Sequence, residues 1–125
     1  AGADMVDGGA GKDELHGNAG ADIFFFAKGD TGKTKAKADV IADFSTAGGD
    51  IIDVSAWDAD AKKKGNQDFD FIGDQSFHKH AGELRAFVNG AGDTIIQGDT
   101  NGDGKADLMI RLAGNVALTD ASFDL

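Results

Sequence analysis

A nine-residue unit repeats through the first 25 residues, and it limits what the chain can become. Gly8-Gly9-Ala10-Gly11-Lys12-Asp13-Glu14-Leu15-His16 is one complete copy, and Gly17-Asn18-Ala19-Gly20-Ala21-Asp22-Ile23-Phe24-Phe25 is the next. Ala1-Gly2-Ala3-Asp4-Met5-Val6-Asp7 is the tail of an earlier one, so the chain is expected to be part of a longer parent. The shared frame is Gly-(Gly or Asn)-Ala-Gly-x-Asp-x-U-x, where U is the apolar residue Val6, Leu15 or Phe24. A strand of about three residues that buries one apolar side chain cannot fold alone, so successive copies must stack. Glycine lets each loop turn through backbone angles that other residues resist, and it leaves carbonyl oxygens uncovered. One aspartate per loop adds a carboxylate. Carbonyl and carboxylate oxygens are the hard ligands that Ca2+ takes, about six to eight at a time. If each copy is half a turn of a coil, a loop stacks on the loop two copies away. Asp4 and Asp22 then face one ion, and Asp13, on the opposite edge, needs a partner from further along.

Composition points the same way. The 125 residues fit one domain with one modest core. The net charge is −10, and of the 22 acidic residues only Glu14 and Glu83 are glutamates. Aspartate is a poor residue for helix and strand interiors but suits turns and calcium loops. So strong a negative charge opposes compaction, which bound divalent cations relieve, and it argues against a nucleic-acid partner. There is no cysteine, so metal or core must supply what disulfides give other small extracellular domains. No apolar run approaches the roughly 18 residues of a membrane span.

Downstream of the repeats the pattern is that of short strands between turns. Ile23-Phe24-Phe25-Phe26 is a heavier apolar cluster where the stacked repeats should meet the next layer. Residues 28–38 crowd Lys28, Lys33, Lys35 and Lys37 into a loop, either simply solvated or a contact for an anionic sugar or for the parent protein. Asp39 to Phe44 and Ile51 to Val54 read as strands, with Gly48-Gly49-Asp50 turning between them. Asp39 is either the acid that completes the Asp13 site or a plain strand-edge acid. Ser55-Ala56-Trp57-Asp58 reads as a capped helix start, with Lys62, Lys63 and Lys64 near its negative end and Gly65 ending it. Asp68 to Gly73 and Leu84 to Asn89 read as further strands. Thr94 to Gln97 and Asp107 to Leu112 read as a hairpin pair, and Val116 to Leu118 as a last strand. Strands at this spacing suggest a sandwich. His78 and His80 could bind zinc if they lay on a strand, but with no cysteine and no third histidine nearby a zinc site is not expected there.

Gly98-Asp99-Thr100-Asn101-Gly102-Asp103-Gly104-Lys105-Ala106-Asp107 is a second acidic motif. Asp99, Asn101, Asp103 and Gly104 match the first half of an EF-hand loop. The match then fails, because Ile110 stands where a bidentate glutamate belongs, although Asp107 compensates in part. Asn-Gly and Asp-Gly are also preferred hairpin turns, and two strands flank this stretch. The turn is the favoured reading, with a weak ion site at Asp99, Asn101, Asp103 and Asp107 left open.

The nonapeptide frame is itself the known calcium-binding repeat of RTX proteins. Taken in order with Asp39-Val40-Ile41-Ala42-Asp43-Phe44, Gly49-Asp50-Ile51-Ile52-Asp53-Val54-Ser55, Gly82-Glu83-Leu84-Arg85 and the 98–107 motif, it resembles the C-terminal domain of serralysin-type secreted metalloproteases. Similar segments end other RTX exoproteins, including alginate epimerases and polysaccharide lyases. The resemblance spans nearly the whole chain. It implies an all-β fold: a short parallel β-roll over residues 1–26 running into a β-sandwich of mostly antiparallel strands over 27–125, with a short helix. It implies Ca2+ between stacked loops, held by Gly8, Gly9, Ala10, Gly11 and Asp13, by Gly17, Asn18, Ala19, Gly20 and Asp22, and by Gly2 and Asp4. It further implies an extracellular protein exported by a type I (ABC) secretion apparatus reading the C-terminus, with an N-terminal catalytic domain in the parent chain. The tail departs from the family pattern, with acids at Asp120 and Asp124 rather than one acid before several apolar residues. No HExxH motif or other catalytic constellation is present, so this segment is expected not to be an enzyme. The alternative is an accessory module that binds an alginate-like polysaccharide.

Overall fold

The computed structural model describes residues 5–6, 13–17, 20–26, 39–46, 48–54, 69–116, 118–119 and 122–124. The basic loop at 28–38 and the helix expected from Ser55 lie outside them. Among the described residues there are ten strands: β1 (Met5–Val6), β2 (Glu14–Leu15), β3 (Ile23–Phe25), β4 (Asp39–Ile41), β5 (Ile51–Asp53), β6 (Asp70–Phe71), β7 (Glu83–Val88), β8 (Thr94–Asp99), β9 (Leu108–Leu112) and β10 (Phe123–Asp124).

Strands β1 to β5 alternate between two sheets, as a coil of half-turn repeats requires. One sheet has the order β1-β3-β5-β10 and the other β2-β4-β9-β8-β7-β6. β1 pairs parallel with β3, with Met5 beside Ile23 and Val6 beside Phe24, so each repeat lies on the copy two units away. The parallel ladders then continue past the repeats. β3 pairs with β5, β5 with β10, β2 with β4, and β4 with β9, all parallel. Among the described residues antiparallel pairing is confined to β7-β8-β9, and β6 joins β7 in parallel. The hairpin expected from Thr94 and Asp107 is β8-β9. The closing strand falls on Phe123–Asp124 rather than on Val116 to Leu118, where Val116 and Leu118 lie outside any strand and pack on the core as half-buried side chains.

Side chains alternate across each strand, and the inward ones set the register. Leu15 pairs with Ile41 and Ile41 with Leu112, while Phe24 pairs with Ile52 and Ile52 with Phe123. All six are buried in one core shared by the two sheets. Phe71 meets Phe123 across it with ring centroids 4.9 Å apart, and Phe24 meets Phe44 at 5.9 Å. Shifting any of these short strands by one residue would turn its apolar side chain outward.

Candidate metal centre

The register that buries Leu15 on Ile41 also brings Asp13 level with Asp39. Val40 N–H donates to the Asp13 carbonyl and Ala42 N–H to the Leu15 carbonyl, both at 2.9 Å. Asp13 N–H donates in turn to Asp39 Oδ1 at 2.7 Å. Asp39 is buried at 1% exposure. Asp13 Oδ2 is itself buried and has no hydrogen-bond partner. A buried carboxylate oxygen left without a donor is costly unless a cation meets it. The register thus brings Asp39 beside Asp13.

The opposite edge repeats the arrangement with a residue that the sequence reading took only as part of a turn. Asp22 is level with Asp50: Ile51 N–H donates to the Asp22 carbonyl, and Asp22 N–H donates to Asp50 Oδ1, each at 2.9 Å. Asp50 Oδ2 accepts Ser45 N–H at 2.9 Å, which closes the turn in front of β5. Both carboxylates are buried. Gly17, the first residue of the Asp22 repeat, fits only as glycine. A Cβ there would lie 2.4 Å from Asp22 Oδ2 and 2.9 Å from Phe24 Cζ. Gly20 sits in the left-handed region at φ 108°, as the turn before Asp22 needs. Asp50 was legible in principle, since Asp50-Ile51-Ile52-Asp53 repeats the acid-x-apolar-x order of Asp22 to Phe25. Asp43 was missed as well; its Oδ1 accepts Gly17 N–H at 2.9 Å.

Of the other expected ligands, Gly2, Asp4, Gly8, Gly9, Ala10, Gly11, Asn18 and Ala19 lie outside the described residues. The pairing of β1 on β3 is the stacking that the Asp4–Asp22 reading needs.

The 98–107 motif is the end of β8 and the loop from it to β9. Asp99, fully buried, accepts the N–H groups of Asn101 and Gly102 on Oδ1 at 3.2 and 2.8 Å and that of Gly104 on Oδ2 at 2.8 Å. Asp107 Oδ2 accepts Thr100 N–H and Oγ1–H at 2.9 and 3.2 Å. Gly102 and Gly104 take φ values of 78° and 80°. The acids thus organise the turn, as the favoured reading expected. They also gather: one carboxylate oxygen from each of Asp99, Asp103 and Asp107 lies within 4.8 Å of the others. Among the described residues this is the one cluster of three potential metal-ligating side chains so close together.

The neighbouring loop packs on it. Lys79, at φ 60°, lays its stem against Gly104, with Cγ 3.1 Å from where a Cβ there would stand. His78 Nδ1 lies 2.6 Å from Glu83 Oε2. Burial pushes the Glu83 carboxyl up, but the His78 ring and the N–H groups of His78 and His80 outweigh it and hold the group below its ordinary value.

The family described as Peptidase M10 serralysin C terminal matches residues 4–123. The chain belongs to that family. Among the solved structures similar to it are two subunits of the mannuronan C5-epimerase of Azotobacter vinelandii. The solution structure of the AlgE6R2 subunit is 27% identical, with a TM-score of 0.59, and the match covers 95% of this chain and 68% of that one. The AlgE6R3 subunit is 26% identical, with a TM-score of 0.60, and the match covers 98% and 66%. This chain therefore spans about two thirds of each subunit. No curated protein matches it. Serralysin C-terminal domains are RTX repeat modules, which in general bind Ca2+, belong to secreted proteins and are typically non-catalytic. The stacked aspartates, the glycine at 17 and the buried Asp13 oxygen fit such an ion. Among the described residues no helix is long and apolar enough to cross a membrane.

Proposed function

We propose that this serralysin C-terminal domain holds Ca2+ between its coils and uses the ions to fold outside the cell, where it stabilises a secreted parent protein. The observation that carries the reading is the stacking of Asp13 on Asp39 and of Asp22 on Asp50. The ligands would be these carboxylates with the loop oxygens of residues 8–11 and 17–20, joined by Asp4 and Gly2 from the first copy. A weaker site would lie at Asp99, Asn101, Asp103 and Asp107. Extracellular calcium sites work near about 10⁻⁴–10⁻³ M. Below that concentration the acidic coils repel one another, and an open chain can thread a type I (ABC) export channel. Outside, ions that bind only the folded state stabilise it by mass action. The C-terminus would carry the export signal, and catalysis would belong to an N-terminal domain of the parent. Circular dichroism of the chain in millimolar calcium and in chelator tests this. β-structure and melting temperature should both rise with calcium, and identical spectra and melts in the two conditions would refute it.

A second reading is a module that binds a uronate polysaccharide. It is supported by the likeness to mannuronan C5-epimerase subunits and by one platform on the outer face of β7-β8. There the Arg85 guanidinium lies 4.3 Å over the Phe87 ring and donates to Gln97 Oε1 at 3.1 Å. Titration with oligomannuronate separates the two readings, because the first predicts no binding.

A further inference from the structure

The outward side chains of β7, β8 and β9 stand in register as two rows, Arg85-Gln97-Met109 and Phe87-Ile95-Arg111. Ile95 and Met109 are buried there at 3% and 8% exposure, with Phe87 packed on them, in a cluster separate from the core between the sheets. A hollow of about 210 Å³ lies over this floor, lined by Phe87, Asn89, Ile95, Gln97 and Met109. Both arginines of the chain flank it. Arg111 is neutralised by Asp93, which accepts its Nε and Nη2. Arg85 is not. Its guanidinium lies 4.3 Å over the Phe87 ring and 5.7 Å over that of Phe77, and its Nη1 donates to Gln97 Oε1 at 3.1 Å. Among the described residues no carboxylate forms an ion pair with it, and its buried Nε has no hydrogen-bond partner. Burial pulls its pKa down, and Asp74 restores only part of the loss. Asn89 Nδ2 is also buried without an acceptor, while Asn89 Oδ1 holds the N–H groups of Ala91 and Asp93.

We propose that this face docks an extended peptide of a partner protein through one carboxylate, held by Arg85, and the apolar side chain next to it, seated over Ile95 and Met109. A guanidinium stacked flat on a ring is pre-organised for a planar carboxylate and loses little freedom when it binds one. Buried donors without acceptors are costly, and the oxygens of a peptide supply acceptors for Arg85 and Asn89. The chain has 22 acidic residues, yet among the described residues none pairs with this cation, so its carboxylate has to come from outside. Two observations favour a peptide over a uronate chain. A hydroxyl-rich ring would leave hydroxyls unpaired against Ile95 and Met109. A polyuronate carries a carboxylate on every ring, and a chain of net charge −10 repels it. One carboxylate beside an apolar side chain meets Arg85 with less of that repulsion. The inference does not rest on the calcium reading.

The test is an NMR titration of the whole chain, in millimolar calcium, with capped hexapeptides that carry Glu-Leu, Gln-Leu or Glu-Ser at their centre. Glu-Leu should shift the amides of Arg85, Phe87, Asn89, Ile95, Gln97 and Met109, with a dissociation constant on the order of 1 mM. Gln-Leu lacks the charge-assisted pair and Glu-Ser the buried side chain, so each should bind at least about fivefold more weakly. Arg85→Gln should weaken Glu-Leu at least about fivefold, and Arg85→Lys by nearly as much, because an ammonium does not stack flat on Phe87. Amides of β4 and β5 that keep their positions in both variants show that the fold is retained. No shift on this face with millimolar Glu-Leu, equal binding of all the peptides, or full Glu-Leu affinity in Arg85→Gln would overturn the proposal. Oligomannuronate that shifts these amides where Glu-Leu does not would overturn it in favour of the polysaccharide reading.

Discussion

Gly17→Ala adds one methyl group at the point where the roll is tightest. The new Cβ would lie 2.4 Å from Asp22 Oδ2, 2.9 Å from Asp22 Cγ and 2.9 Å from Phe24 Cζ. Gly17 is not in the left-handed region, so backbone strain plays no part and the cost is steric. Neither neighbour can yield easily. Phe24 is fully buried in the core, and Asp22 is fully buried on the rung above Asp50. Overpacking of this kind costs about 1–3 kcal/mol, which for a domain of this size lowers the melting temperature by about 4–12 °C. Gly90→Ala is the control: its Cβ would meet nothing within 4 Å, and its φ is ordinary. It should change stability by no more than about 0.5 kcal/mol, and if anything raise it by restricting the unfolded chain. Calcium sharpens the comparison. At a concentration a hundredfold above its dissociation constant the wild type should gain about 2.7 kcal/mol from one site. Gly17→Ala should keep only part of that gain, because the methyl group displaces the Asp22 carboxylate. Thermal melts of the three proteins, in chelator and in calcium, give every number needed. If Gly17→Ala and Gly90→Ala melt together in both conditions, the packing of Asp22 against Gly17 has been misread.

Three further outcomes are expected. A carboxyl held below its ordinary value contributes stability that is present above its unfolded value and drains away as pH falls through the folded one. Glu83 should therefore stabilise the wild type above about pH 4.5 and stop doing so at lower pH; Glu83→Gln should be less stable than wild type at neutral pH, with the gap closing in acid denaturation curves. Asp99→Ala strips the acceptor from three N–H groups of the β8-β9 loop and should cost at least about 2 kcal/mol in urea titration, with Asp99→Asn losing less. Gly98→Ala would place a Cβ 3.0 Å from Phe69 Cε1 and 3.1 Å from Leu108 Cδ2, so it should cost about 1–2 kcal/mol; a neutral result would mean that those two side chains give way freely.

What could be read from the sequence divides along a physical line. A strict nine-residue period announces itself because each copy must solve the same problem: one apolar side chain inward, one acid at the turn. The stacking of β1 on β3 follows from that alone. So does the β8-β9 hairpin, where Asn101-Gly102 and Asp103-Gly104 sit between two apolar runs. The period breaks after Phe25, however, and the next rungs arrive 26 residues after Asp13 and 28 after Asp22. Spacing cannot find them, because the connecting chain can take any length that returns a strand to the same edge. What returns it is burial. Ile41 packs beside Leu15 and Ile52 beside Phe24, and in a strand of three residues that choice fixes every neighbour. Asp39 and Asp50 are then carried level with Asp13 and Asp22 as a consequence of where two isoleucines go. Asp43 is one step further removed: it lies beyond the strand, and only the path of the chain out of β4 brings it to Gly17. The acids of the roll are thus set by apolar contacts one or two residues away. It follows that Ile41→Ala or Ile52→Ala, which removes no oxygen, should weaken calcium binding as well as the fold. An affinity left intact in an Ile52→Ala variant that is measurably destabilised would show instead that the loops find their register without the core.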